Sequence, residues 1–132
     1  MVDQMTRAKA LLVCDDPEGG RVWSYALGQI GLEVTVVGSS EQALDQCTKQ
    51  TFTLLIIDVS ASQLDGIDLC RRLRGEAVNP ILLLTPKTDE THALEAYRAG
   101  ADECIPKPVS PSLFLAKVKT WPATQSLCPQ RP

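Results

Sequence analysis

Five polar residues of this 132-residue chain stand at or just beyond the ends of short apolar runs, and their types could do chemistry together. Asp15 and Asp16 follow the run from Ala10 to Cys14. Asp58 follows Leu54–Ile57, Thr85 follows Ile81–Leu84, and Lys107 stands two residues after Ile105. Clustered carboxylates repel one another unless a cation joins them, and hard oxygen ligands with several waters suit Mg2+. An ionised carboxylate is also a nucleophile for phosphorus. A metal ion, an ammonium and a hydroxyl can then hold the three equatorial oxygens of a transferring phosphoryl group. Asp16 has a competing structural role, because a carboxylate directly before Pro17 is a good helix N-cap. Asp58 is harder to explain that way. Idle charge at the edge of a buried strand is costly.

These residues can meet only if the chain between them folds as an alternation. Residues 9–14, 32–37, 53–57, 81–84 and 102–105 read as strands. Helical spacing appears after each. Asp16 and Pro17 open a first helix that carries Val22, Trp23, Ala26, Leu27 and Ile30, and Gly31 stops it. Ser39 or Ser40 caps a second helix bearing Ala43, Leu44 and Cys47. Gly66 precedes a third, running through Leu73. A fourth spans 89–99 and ends at Gly100. Ser110 and Pro111 open a fifth with Leu113, Phe114, Leu115 and Val118, and Pro122 forces its end. Five strand–helix pairs predict a doubly wound α/β domain with a five-stranded parallel sheet. Such sheets gather functional groups at the carboxyl ends of their strands, which here means all five polar residues.

Composition narrows the class. A net charge of −3 gives no basic surface for direct nucleic-acid binding. The longest unbroken Val/Leu/Ile runs are four residues, far short of a membrane span. The five cysteines lie at no metal-ligand spacing and His92 is the only histidine, so a zinc site is not expected. Without a secretory signal, reduced thiols in the cytoplasm are the expectation. The plan is one domain over residues 9–120 and a mostly disordered tail over 121–132, which carries three prolines. Arg71, Arg72 and Arg74 read as a solvated helix face, His92 as an exposed helix residue, and Trp23 as a packing residue between helix and sheet.

The order and intervals of these motifs resemble the receiver domain of two-component response regulators. Leu54-Leu55-Ile56-Ile57-Asp58 with Asp65-Gly66 is similar to its phosphorylation segment. Leu82-Leu83-Leu84-Thr85 is similar to its fourth strand, and Ala99-Gly100-Ala101-Asp102 with Lys107-Pro108 to its fifth strand and lysine, 22 residues after Thr85. The resemblance spans about residues 9–120 and implies a flavodoxin-like sheet of order 2-1-3-4-5. It implies that Asp58 accepts a phosphoryl group from a histidine kinase or phosphotransfer protein. Mg2+ would be held by Asp15, Asp58 and the backbone carbonyl of Ser60, with Asp16 a further candidate ligand. Thr85 would bond the phosphoryl group and Lys107 would pair first with the carboxylate, then with a phosphoryl oxygen. Such a domain is a switch, not an enzyme in the usual sense. It would signal to a downstream effector protein or domain, with homodimerisation through the helix 4–strand 5–helix 5 face as an option. Little chain remains here for an output domain.

Four positions depart from the family pattern. Cys14 stands where its first acidic residue sits, which implies weaker Mg2+ binding. Pro86 follows Thr85 and lacks the N–H that would donate to the phosphoryl group. Cys104 replaces the aromatic switch residue, with a redox-sensitive thiol as a minor reading. Ser62 replaces a proline. These departures keep a second function open: a degenerate receiver acting as a phosphorylation-independent protein-interaction module. A flavodoxin-like redox enzyme fits less well, because Gly19-Gly20 does not form a phosphate-cradling loop.

Overall fold

The computed structural model describes residues 8–59, 65–76, 79–87 and 89–120. Ser60, Ser62 and the tail over 121–132 lie outside them. Strands and helices alternate: β1 (Lys9–Cys14), α1 (Pro17–Gln29), β2 (Glu33–Val37), α2 (Ser40–Lys49), β3 (Leu54–Asp58), α3 (Gly66–Glu76), β4 (Ile81–Thr85), α4 (Glu90–Ala99), β5 (Glu103–Pro106) and α5 (Pro111–Lys119). All strand pairs are parallel, in the order β2-β1-β3-β4-β5. That is the expected doubly wound sheet. Third and fourth strands run one residue further than the apolar pattern suggested, so Asp58 and Thr85 are themselves strand residues.

Alternation along each strand decides which helices cover which face. Leu11, Val13, Leu55, Ile57, Ile81 and Leu83 face α2, α3 and α4, whose Ala43, Leu69, Leu73 and Ala96 complete one core. Ala10, Leu12, Leu54, Ile56, Leu82 and Leu84 face α1 and α5, whose Trp23, Leu27, Phe114 and Val118 complete the other. With both faces covered, β3 and β4 are buried at every position, which is why they read as unbroken apolar runs. Two residues placed inward by periodicity, Val22 and Leu113, are about half exposed instead.

The helix starts follow the capping chemistry. Asp16 accepts from the backbone N–H groups of Glu18 and Gly19, and Pro17 occupies the first turn. Ser39, not Ser40, caps α2. Asp89 caps α4, and Ser110 caps α5 ahead of Pro111. Gly31 and Gly100 adopt the left-handed backbone that ends α1 and α4, with φ of 97° and 119°.

Gly66 lets α3 approach the sheet. A Cβ there would lie 2.5 Å from Val59 Cγ2 and 2.8 Å from Leu83 Cδ1. Gly66→Ala is therefore expected to lower stability by about 1–3 kcal/mol through overpacking. Urea denaturation checks this, and an unchanged midpoint would mean that Val59 and Leu83 give way freely. Arg74 corrects the expectation of a solvated face. Its guanidinium donates to the carbonyls of Gly100 and Asn79 and to Asp102, tying the end of α3 to the α4–β5 turn. Asp102 in turn accepts from Ile81 N–H at 2.8 Å. Arg71 and Arg72 do lie on the exposed face, beside Asp68.

Candidate functional site

The strand ends bring the predicted residues to one edge of the sheet. Cys14 pairs in register with Asp58, Asp58 with Leu84, and Thr85 with Pro106. Lys107 is the next residue along, and its N–H donates to the Thr85 carbonyl at 2.9 Å. Asp58 is 3% exposed and Thr85 1%, the two buried polar side chains among the described residues. A carboxylate so far out of water needs partners.

Asp58 has three. Lys107 Nζ donates to Oδ1 at 2.6 Å and also reaches the Val59 carbonyl at 3.1 Å. Trp23 Nε1–H donates to Oδ2 at 2.8 Å. Cys14 Sγ lies 3.4 Å from the same oxygen and 3.2 Å from the Asp16 carbonyl, so one thiol proton faces two acceptors. Burial, aided by the Asp58 charge, pushes the Cys14 thiol up to about 11. It is a neutral donor at pH 7, and the position contributes no charge.

Sequence reasoning placed Trp23 against the sheet but missed its hydrogen bond. The ring does pack there, 4.7 Å from the Phe114 ring and 7% exposed. The missing clue was available in principle: a buried indole N–H requires an acceptor. His92 was also misread. It is half-buried, and its Nε2 lies 3.4 Å from Thr85 Oγ1. Lys87 N–H donates to that hydroxyl at 3.2 Å, so Thr85 is held from the far side of Pro86.

The acidic residues after β1 divide their roles. Asp16 is exposed and caps α1, as its place before Pro17 predicted. Asp15 is half-buried at the carboxyl end of β1. A Cβ on Gly19 would lie 3.1 Å from Asp16 Oδ2, 3.5 Å from Asp58 Oδ2 and 3.6 Å from Cys14 Sγ. Glycine thus keeps open a small space bordered by two carboxylates. Hard oxygens around a space of that kind suit a hydrated Mg2+, which keeps several of its waters. Among the described residues no three acidic, histidine or cysteine side chains form a metal cluster.

At the position expected for an aromatic switch, Cys104 is half-buried and its N–H donates to the Tyr97 hydroxyl at 3.2 Å. An aromatic ring therefore reaches this part of the sheet from α4 rather than β5. Burial, and then Glu103, raises the Cys104 thiol above its ordinary value. That disfavours the thiolate a redox sensor needs.

Among the described residues no helix is long and apolar enough to cross a membrane. The profile of the response regulator receiver domain family matches residues 10–119. The chain is 33% identical over 113 residues to the DNA-binding response regulator MtrA of Mycolicibacterium smegmatis, an alignment covering 86% of this chain and 50% of that protein. The chain spans about half the length of the curated relatives it matches. Among solved structures it superimposes on chemotaxis response regulator CheY4 of Vibrio cholerae with a TM-score of 0.79 at 28% identity, covering 87% and 98% of the two chains. The BeF3-activated N-terminal receiver domain of Klebsiella pneumoniae RstA gives 0.77 at 30%, covering 85% and 96%. With its motifs, its strand order and these relatives in agreement, the chain belongs to the response regulator receiver domain family.

Proposed function

We propose that this receiver is a phosphoacceptor switch in the cytoplasm. Asp58 takes a phosphoryl group from the phosphohistidine of a histidine kinase or a phosphotransfer protein. The observation that carries this is the burial of Asp58 with Lys107 Nζ 2.6 Å away, at the sheet edge where Thr85 ends the neighbouring strand. A carboxylate oxygen attacks phosphorus, the new O–P bond forms as the P–N bond breaks, and the imidazole leaves with the electron pair. Lys107 is placed to take up charge on one phosphoryl oxygen. Thr85 offers its hydroxyl to another, leaving the Lys87 N–H and His92 that hold it at rest.

Asp15, Asp58 and the Ser60 carbonyl would hold Mg2+, with Asp16 as a further oxygen across the space that Gly19 leaves. The ion supplies positive charge that offsets the carboxylates and the phosphoryl oxygens. The domain turns over only its own aspartyl phosphate and signals to a downstream effector protein or domain, with the α4, β5 and α5 face as an optional surface for pairing of two copies. A net charge of −3 favours a protein target over direct nucleic-acid contact.

Beryllofluoride with Mg2+, a mimic of the aspartyl phosphate, tests this reading. A bound fluoride resonance is expected in the wild type and none in Asp58→Asn. No bound resonance in the wild type at millimolar Mg2+ would turn the reading to a phosphorylation-independent interaction module.

A further inference from the structure

Trp23 holds the one oxygen of Asp58 that faces the space over Gly19. A carboxylate has about four lone-pair directions, two on each oxygen. Lys107 occupies one on Oδ1, whereas Trp23 and Cys14 both point at Oδ2. Oδ2 therefore holds the indole N–H and faces a thiol proton that it shares with the Asp16 carbonyl. It is also the oxygen nearest the opening, 3.5 Å from where a Gly19 Cβ would stand. Of its two donors the indole is the stronger, being short, at 2.8 Å, and directed at a charge. The thiol is a weak donor with a second acceptor in reach.

We infer that Trp23 is a latch on the phosphoacceptor: its indole N–H occupies Asp58 Oδ2 in the resting domain and must let go before that oxygen can bind a cation or a phosphoryl group. Trp23 is a positioning residue and not a catalytic one, since it acts on Asp58 alone. Nothing in the receiver reading requires it. Any apolar side chain could fill the seat between α1, the sheet and Phe114, yet the residue there brings a donor to the reactive carboxylate. Phe114 backs the ring at 4.7 Å, so the indole is held on its apolar side while its N–H faces the site. The inference rests on the phosphoacceptor reading of the same site.

The test uses the whole chain. With two tryptophans present, Trp121→Phe assigns the Trp23 Nε1–H resonance in a 15N spectrum. Mg2+ and beryllofluoride are then added to saturation. That resonance is expected to move by several tenths of a ppm or more in its proton dimension, as a short bond to a carboxylate is lost. Trp23→Phe is expected to bind beryllofluoride about tenfold more tightly, the size that one charge-assisted hydrogen bond implies. Phenylalanine retains the packing on Phe114, and the resonance measurement needs no substitution at Trp23, so a poorly folded variant does not decide the outcome. Binding with an unmoved resonance and equal affinities overturns the latch alone. Weaker binding by Trp23→Phe also overturns it, because the indole would then be holding the phosphoryl group. No binding to either protein overturns the latch together with the phosphoacceptor reading.

Discussion

Replacing Cys14 by aspartate is expected to raise Mg2+ affinity about 10- to 100-fold and to destabilise the metal-free domain. Cys14 is the register partner of Asp58, and its Sγ lies 3.4 Å from Oδ2. The thiol that stands there, pushed up to about 11, is neutral at pH 7 and donates to Asp58. An aspartate would turn this donor into a second negative charge. Two like charges about 4 Å apart repel by about 4 kcal/mol at a surface-like dielectric, a cost that Lys107 and solvent reduce to about 1–3 kcal/mol. A divalent cation held by both carboxylates would reverse the sign. Cys14→Asp should therefore unfold at lower urea than wild type in EDTA, and the gap should close or invert as Mg2+ is added. Titration calorimetry with Mg2+ gives the affinity directly. If both proteins bind Mg2+ equally, the departure at position 14 does not limit metal binding.

The same pair of positions shows how far the sequence carries. Asp58, Thr85 and Lys107 were legible as a group because each sits at or just past the end of an apolar run. A parallel sheet then has only one edge on which to collect them. The Asp16 cap was legible because it is local chemistry, settled within four residues. What escaped was tertiary. Trp23 obeys the helical period, and periodicity reports that a face is buried without saying which polar atom the buried N–H meets. Arg74 obeys the period of an exposed face, but its long side chain reaches back to carbonyls of the α4–β5 turn. His92 lies on the turn of α4 that overhangs Thr85, a proximity created by the β4–α4 connection and not by spacing.

These missed contacts bear on how a signal would leave the site. A threonine hydroxyl that moves toward a phosphoryl group must give up its approach to His92 and the N–H of Lys87. Both belong to the stretch leading into α4 or to α4 itself. Cys104 cannot supply the ring that would follow the hydroxyl inward, but Tyr97 already bridges α4 to β5 through the Cys104 N–H. The arrangement ties the hydroxyl to α4 more directly than to β5.

Lys107→Met should cost more stability than Asp58→Asn, although both break the same ion pair. The asymmetry follows from burial. The Lys107 side chain is 27% exposed and that of Asp58 4%. Without the ammonium, a carboxylate stays in the interior with only an indole N–H and a shared thiol proton. Removing one partner of a fully buried pair costs about 3–5 kcal/mol, and partial solvent access at the lysine lowers the expected loss to about 2–3 kcal/mol. Without the carboxylate, Lys107 keeps the Val59 carbonyl at 3.1 Å and can turn to water, so Asp58→Asn is expected within about 1 kcal/mol of wild type. The double variant then recovers most of what Lys107→Met loses, giving a coupling energy of about 2 kcal/mol. Urea denaturation of the four proteins in EDTA measures the cycle. Equal losses in the two single variants would show that Asp58 reaches solvent without its lysine, and that the buried charge is not what holds Lys107 over the site.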